Sequence, residues 1–311
     1  MDYINLGRTG LKVSVFGLGG GGHSRLGQRA GVTEAESVAL VRRALALGVT
    51  FIDTAEGYGT EPVIGAALRD IPRHSLVLST KKSMTRNEQL ISAADLALGL
   101  ENSLKRLSTD YIDVYHLHGV RAHQYDHAVN ELVPMLLKLR EQGKIRFLGI
   151  TEAFNSDPGH IMLVRAVQDS FWDVMMVGFN LLNQSARARV LIEAQRKNIG
   201  VLCMFAVRSA LSQPDKLHQV ITTLAEQGLI DETAIDPQDP LGFVRQTAES
   251  LPDAAYRFCR IEPGVHVVLS GTGNIRHLEQ NVASLLRPAL PETIRQRLID
   301  LFARVDSISG E

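Results

Sequence analysis

Three apolar runs of the chain stop at polar side chains, and a fourth polar side chain lies in the loop beyond one of them. In FIDTAEGYG (51–59) the run ends on Asp53, and Tyr58 follows between Gly57 and Gly59. LVLST (76–80) is followed by Lys81 and Lys82, and YIDVYHLH (111–118) ends on His118. Their chemistry is complementary. A phenol, with an ordinary pKa of about 10, is a poor acid at neutral pH. A lysine ammonium set against it favours the phenolate and is expected to lower that value. Asp53 would keep the ammonium charged and oriented, which burial otherwise opposes. His118 can donate a hydrogen bond to a carbonyl oxygen beside the Tyr58 hydroxyl. Such a pocket protonates an oxygen on which negative charge develops. It holds no nucleophile, so the electrons must come from elsewhere, and hydride from a nicotinamide fits. Singly, each residue has a bland role: Asp53 a loop cap, Tyr58 a loop aromatic, Lys81 a solvated strand end, His118 a core histidine. Their joint placement favours the chemistry.

The elements that position them follow from periodicity. Eight short runs are apolar on nearly every residue: 13–19, 50–53, 76–80, 111–118, 147–151, 174–180, 201–205 and 265–270. Strands buried on both faces of a parallel sheet look like this. Between them lie amphipathic patterns. TEAESVALVRRALALG (33–48) opens with a Thr and, three residues on, a Glu, a capping box, and closes on Gly48. Residues 87–107, 129–144 and 186–200 keep apolar residues at three- and four-residue spacing, the last two with basic residues late and a glycine at the exit. Eight strand–helix units in 311 residues predict a single (β/α)8 TIM barrel domain over 1–311, with reactive groups at the C-terminal strand ends. Two segments fall outside the repeat. Residues 3–14 read as a short N-terminal β-hairpin around Gly7 and Gly10, and 206–250 as a long loop insertion after strand seven, a substrate-side wall or an inert insertion.

Composition narrows the partners. With 33 Lys and Arg against 34 Asp and Glu, charge gives no reason to expect nucleic acid or an anionic membrane. No apolar run is long enough to span a bilayer, and the first residues lack a secretory pattern. Cys203 and Cys259, far apart and outside any metal-ligand spacing, suggest a reduced, cytoplasmic protein.

From LGRTGLKVS to HLEQN the chain resembles the aldo-keto reductase superfamily. FIDTAEGYG resembles the family's strand-two signature, LSTKKS its catalytic-lysine segment, and DVYHLHG the segment with its catalytic histidine. The resemblance implies Tyr58 as general acid/base, Lys81 rather than Lys82 as its partner, Asp53 as the lysine's partner, and His118 as the group orienting the carbonyl. It implies an NAD(P)(H)-dependent enzyme interconverting a small aldehyde or ketone, a sugar or sugar lactol among them, with the alcohol.

The cofactor site is read from position and resemblance. GLGGGG (17–22) matches G-x-G-x-x-G, but HSRLGQRAG follows instead of a helix, so a Rossmann site is rejected. Gly19 and Gly20 instead allow close approach at the first strand end. VVLSGTGNIRHLEQN (267–281) resembles the family's cofactor-phosphate segment, a glycine-rich turn entering a helix, as suits an anion; the alternative is an ordinary capped helix start. Ser270, Gly271, Thr272 and Gly273 are its candidates, with Gln280 and Asn281 near the adenine. Three departures bear on the nicotinamide. Many relatives have Ser-Asn where this chain has Thr151-Glu152, Gln where it has Met176, and Tyr-Ser-Pro-Leu where it reads CMFAVR (203–208). Asn180 and Asn183 are the candidates to compensate. Arg276 and Arg208 are candidate cations for a phosphate, and on them the balance leans to NADP(H) over NAD(H).

Two rivals compete. A metal-dependent barrel hydrolase would use His116 and His118, which share one face of a strand. The other strand ends, Thr151, Asn180, Met204 and Ser270, supply no further ligand. One tightly held zinc per chain would favour that rival. The second is a catalytically slow, dinucleotide-binding regulatory barrel, which steady-state oxidation of NADPH or NADH with a panel of carbonyls would separate from an enzyme.

Overall fold

All eight apolar runs become strands of one closed parallel barrel in a computed structural model that describes residues 1–311. The strands are β1 (Phe16–Gly19), β2 (Phe51–Asp53), β3 (Val77–Ser83), β4 (Ile112–Val120), β5 (Ile145–Glu152), β6 (Val174–Gly178), β7 (Gly200–Met204) and β8 (Val267–Ser270). They pair in sequence order, and β8 closes on β1 through Val268 opposite Phe16. The fold is therefore the expected (β/α)8 barrel.

The first helix, α1 (Glu34–Ala46), shows the expected reciprocal cap: the Thr33 side chain accepts from the Glu36 amide, and the Glu36 carboxylate accepts from the Thr33 amide. α2 (Glu61–Leu68) follows β2. The helix expected over 87–107 begins later, as α3 (Ala93–Leu107), capped by Ser92 and Asp95. Thr85–Arg86 and Gln89–Leu90 instead form a small antiparallel hairpin, because Asn87 and Glu88 take left-handed backbone at φ 49° and 67° and turn the chain back. Along 129–144 a π-helical turn, Ala128–Leu132, precedes α4 (Val133–Glu141). Pro134, without an N–H, sits at the junction, where the α-helical bond to the preceding turn is lost anyway. Gly200, read as a helix exit, is the first residue of β7.

The N-terminal hairpin forms as expected, with Tyr3–Asn5 antiparallel to Lys12–Ser14. Leu6, Leu11 and Val13 of this hairpin pack into the barrel interior with Phe51, Val77, Val174 and Val267, closing its floor. A dry floor leaves the opposite, C-terminal mouth as the end where a (β/α)8 barrel carries its reactive groups. Between β7 and the helix Leu251–Arg260 the long insertion folds into helices Ser209–Ser212 and Pro214–Glu226 and short 3₁₀ turns. Leu211, Leu217, Ile221, Leu224, Leu241 and Val244 bury its apolar stripe against the barrel's outer core. The chain continues through Ile275–Leu286 and Glu292–Leu301.

Candidate active site

Three neighbouring strand ends bring the four expected residues together. Strand register sets Asp53 opposite Ser79, and Lys81 opposite His116, so residues from β2, β3 and β4 share one level inside the barrel. The Lys81 Nζ donates to Asp53 Oδ2 at 2.6 Å and to the Thr54 carbonyl at 2.7 Å, and Ser79 Oγ donates to Asp53 Oδ1 at 2.7 Å. Neither charge of this pair is solvated: the Lys81 side chain is 0% and that of Asp53 5% exposed. Burial pushes the Asp53 carboxyl up, opposed by Lys81. Alternation along β3 sends Lys82 the other way, to Glu56 at 2.6 Å, so only Lys81 faces the interior.

Above the pair lies the phenol. Lys81 Nζ is 5.1 Å from the centre of the Tyr58 ring, and the Tyr58 hydroxyl is 3.2 Å from His118 Nε2. The two rings meet edge to face at 5.4 Å. The expected depression of the Tyr58 pKa is not the net result. Burial raises the phenol above its ordinary value; Lys81 is the largest opposing influence, Asp53 adds to the rise, and Arg25 opposes it. The lysine thus limits a cost that the dry pocket imposes. His118 is depressed to about 3, by burial first and by Lys81 second, so its imidazole is neutral at ordinary pH.

The two glycines that flank Tyr58 do not play the same part. Gly57 has ordinary backbone, whereas Gly59, at φ 75°, takes the left-handed turn directly after the tyrosine. A methyl group on Gly21 would lie 2.5 Å from Tyr58 Cε2, so that glycine admits the ring. The glycine run at the end of β1 is therefore partly a seat for Tyr58. Gly20 donates its N–H to the Asp53 carbonyl at 2.7 Å, and Gly19 faces the turn after β8.

His116 is fully buried, with neither ring nitrogen hydrogen-bonded. Its ring lies against Gly149 of β5, where a methyl would fall 2.2 Å from Nδ1. Burial, then Lys81, keeps this imidazole well below its ordinary pKa. No group of three or more His, Cys, Asp or Glu side chains is arranged to hold a metal.

The candidate cofactor residues are spread around the mouth. Thr151 Oγ1 accepts from the Gly119 amide at 2.7 Å, tying β5 to the segment that follows His118. Asn180 accepts from the amides of Leu182 and Asn183 and donates to the carbonyls of Phe205 and Ser309, so its amide is committed to the turn after β6. Asn183 is likewise engaged, with Pro158, Ile308 and Ser185. Ser270 Oγ bonds Tyr256 and accepts from Asn281 Nδ2 at 3.0 Å. Thr272 Oγ1 accepts from the Asn274 amide, while Asn274 caps the helix Ile275–Leu286 through the amides of Arg276 and His277. Methyl groups on Gly271 and Gly273 would meet Gly19 O at 2.9 Å and Gly27 Cα at 2.4 Å, so this turn is pressed against the loop after β1. Arg276 and Gln280 are exposed on the adjoining helix. Arg208 is buried at the exit of β7: its Nη2 donates to Asn155 Oδ1 at 2.8 Å, and its Nε has no partner. A buried guanidinium with an unused N–H suits an anion.

Several features escape the sequence reading. Glu152 is buried and accepts from His160 Nδ1 at 2.9 Å and from the Gly178 amide at 2.7 Å. Burial raises the Glu152 carboxyl, with His160 opposing. His160 stacks on Phe154, Phe154 on Phe205, and the Arg208 guanidinium lies 3.9 Å over Phe205. Phe205 takes φ 66°, a costly conformation for an aromatic residue, held between these planar neighbours. No periodicity marks these contacts, and those of Glu152 with Gly178 and of Phe154 with Phe205 are made only by barrel closure.

A model of the aldo/keto reductase family matches residues 17–296. L-galactose dehydrogenase of Arabidopsis thaliana is 28% identical over 292 residues, covering 90% of this chain and 86% of its own. Aldo-keto reductase YhdN of Bacillus subtilis is 35% identical over 161 residues, 49% of this chain and 47% of its own. Among solved structures, the holo form of the aldo-keto reductase AKR11C1 from Bacillus halodurans superposes with a TM-score of 0.74 at 24% identity, covering 97% of this chain and 96% of that one.

Proposed function

Because the chain belongs to the aldo/keto reductase family and is an oxidoreductase of carbonyl and alcohol groups, we propose that it reduces a small aldehyde or ketone, or oxidises the matching alcohol, with Tyr58 exchanging the proton. One observation carries this reading: the Tyr58 hydroxyl 3.2 Å from a neutral His118, above a buried Lys81–Asp53 pair at 2.6 Å. A nicotinamide dinucleotide supplies or accepts the hydride when bound. Tyr58 holds a proton that burial keeps in place and gives it to the carbonyl oxygen as charge builds there. Lys81 steadies the resulting phenolate, and Asp53 keeps Lys81 oriented. His118, uncharged, orients the oxygen by a hydrogen bond. In oxidation Tyr58 takes the proton back.

Gly19, Gly20, Thr151, the turn Ser270–Gly273 and Asn281 are the residues that would frame the dinucleotide, with Arg208 and Arg276 toward its phosphates. The unpartnered Nε of Arg208 fits such a group. NADP(H) over NAD(H) stays part of the proposal on those two cations. A sugar or sugar lactol is the substrate class that the similarity to L-galactose dehydrogenase supports. The same reading takes 1–311 as one barrel domain, with 206–250 on the substrate side, in a reducing cytoplasmic setting that free thiols at Cys203 and Cys259 suit.

Tyr58→Phe tests it. Steady-state turnover with a sugar panel and both dinucleotides should fall by about a hundredfold or more, the usual range for a lost general acid, while dinucleotide affinity holds. A fall of less than about tenfold would remove Tyr58 from the proton's path.

A further inference from the structure

Residues beyond the last helix return across the mouth of the barrel. The Ile308 carbonyl accepts from Asn183 Nδ2 at 2.7 Å, the Ser309 carbonyl from Asn180 Nδ2 at 3.2 Å, and the Gly310 carbonyl from the Ala210 amide at 3.0 Å. This lays the segment along the exits of β6 and β7. Glu311 then pairs with Arg208, after β7, and with His23 Nε2 at 2.8 Å, in the loop after β1. In barrel order β8 lies between β7 and β1. The Glu311 carboxylate therefore bridges the two strand exits that flank the turn Ser270–Gly273.

The two partners of this pair are not alike. The Arg208 side chain is 7% exposed and is fixed by Asn155 and by stacking on Phe205, with Nε still unpartnered. The Glu311 side chain is 37% exposed and holds only Arg208 and His23, itself 89% exposed. The guanidinium is a built feature, and the carboxylate is a replaceable occupant. Burial makes an unpaired Arg208 charge costly, which favours some anion beside it at all times.

We propose that Glu311 is an internal stand-in for a phosphoryl group at Arg208, and that binding the dinucleotide requires its carboxylate to leave. This rests on the dinucleotide reading above. Arg208 exchanges one anion for another and is never left bare, while Glu311 moves into solvent, where its charge costs little. Affinity for the dinucleotide is then weakened by whatever the Glu311 contacts contribute.

The test is a fluorescence titration of the full chain and of Glu311→Gln with NADPH and with NADH. The substitution keeps the size of the side chain and removes its charge, so Kd for the preferred dinucleotide should fall by about fivefold, at the low end of ordinary coupling between sites. The gap should narrow as salt is raised, since the competition is between charges. Equal or weaker binding by Glu311→Gln overturns the proposal while leaving the reductase reading intact. Absence of binding of either dinucleotide to both the unaltered chain and Glu311→Gln overturns both.

Discussion

The proposed role asks Tyr58 to surrender a proton in a place where burial alone makes its anion unfavourable. The opposing charge is Lys81, and what Lys81 contributes depends on Asp53. Replacing Asp53 by Asn leaves an ammonium buried without its counter-charge, and because neither side chain sees solvent the loss is not softened by screening. A destabilisation of about 3–5 kcal/mol is expected, read from urea midpoints. Lys81→Met removes the ammonium, and turnover should fall by about a hundredfold or more at pH 7. Acid–base behaviour follows from the same geometry. His118 at about 3 is neutral above that pH, and Tyr58, raised from its ordinary value, stays protonated through the neutral range. The pH profile of kcat/KM for reduction should therefore be flat from about pH 5 to 9, with no step near the ordinary histidine value of about 6.5. Oxidation, which needs Tyr58 to accept a proton, should speed up as pH rises. A step near 6.5 traced to His118 by Gln substitution would show that its imidazole titrates normally.

At the scale of elements, the loop after β1 and the loop after β2 act as one unit, because the Tyr58 ring rests on Gly21. Gly21→Ala should displace the ring and lower turnover by about a hundredfold, with an unfolding midpoint close to that of the parent, since the residue lies in a partly exposed loop. Unchanged turnover would mean that the ring is not held where the structure has it. The three polar strand ends were legible in the sequence because each closes an apolar run, Tyr58 because it follows one of them between two glycines, and the barrel because eight such runs recur. The cap of α1 was legible for the same reason: Thr33 and Glu36 act within one turn. What was hidden depends on neighbours distant in sequence. The bond from the Gly178 amide to Glu152 depends on β5 meeting β6, and the seat of His116 depends on a glycine in the next strand. The net rise at Tyr58 was hidden too, because burial is a property of the closed barrel and not of FIDTAEGYG. Residues 87–92 misled for the opposite reason: their apolar spacing continues that of α3, but two left-handed residues turn the chain before any helix can start.

For the whole molecule, the residues proposed to frame the dinucleotide come from the exits of β1, β5, β7 and β8, the proposed proton-handling group comes from the exits of β2, β3 and β4, and the floor is sealed by the N-terminal hairpin. No helix is long and apolar enough to cross a membrane. A ligand held by so many strand ends binds the closed barrel and has almost nothing to bind in the unfolded chain, so its binding free energy adds to stability. At a hundredfold excess over Kd the gain is about 2.7 kcal/mol. An unfolding entropy of about 2.1 cal/mol/K per residue, over 311 residues, gives about 0.65 kcal/mol per degree. The melting temperature should thus rise by about 4 °C with the preferred dinucleotide. The other dinucleotide, at the same concentration, should give a smaller shift, and the difference ranks NADP(H) against NAD(H) without any substrate in hand. Tyr58→Phe should keep the full shift if, as proposed, the phenol handles the proton and does not hold the dinucleotide. Loss of the shift in that variant would place Tyr58 in the binding surface and separate it from the role given to it here.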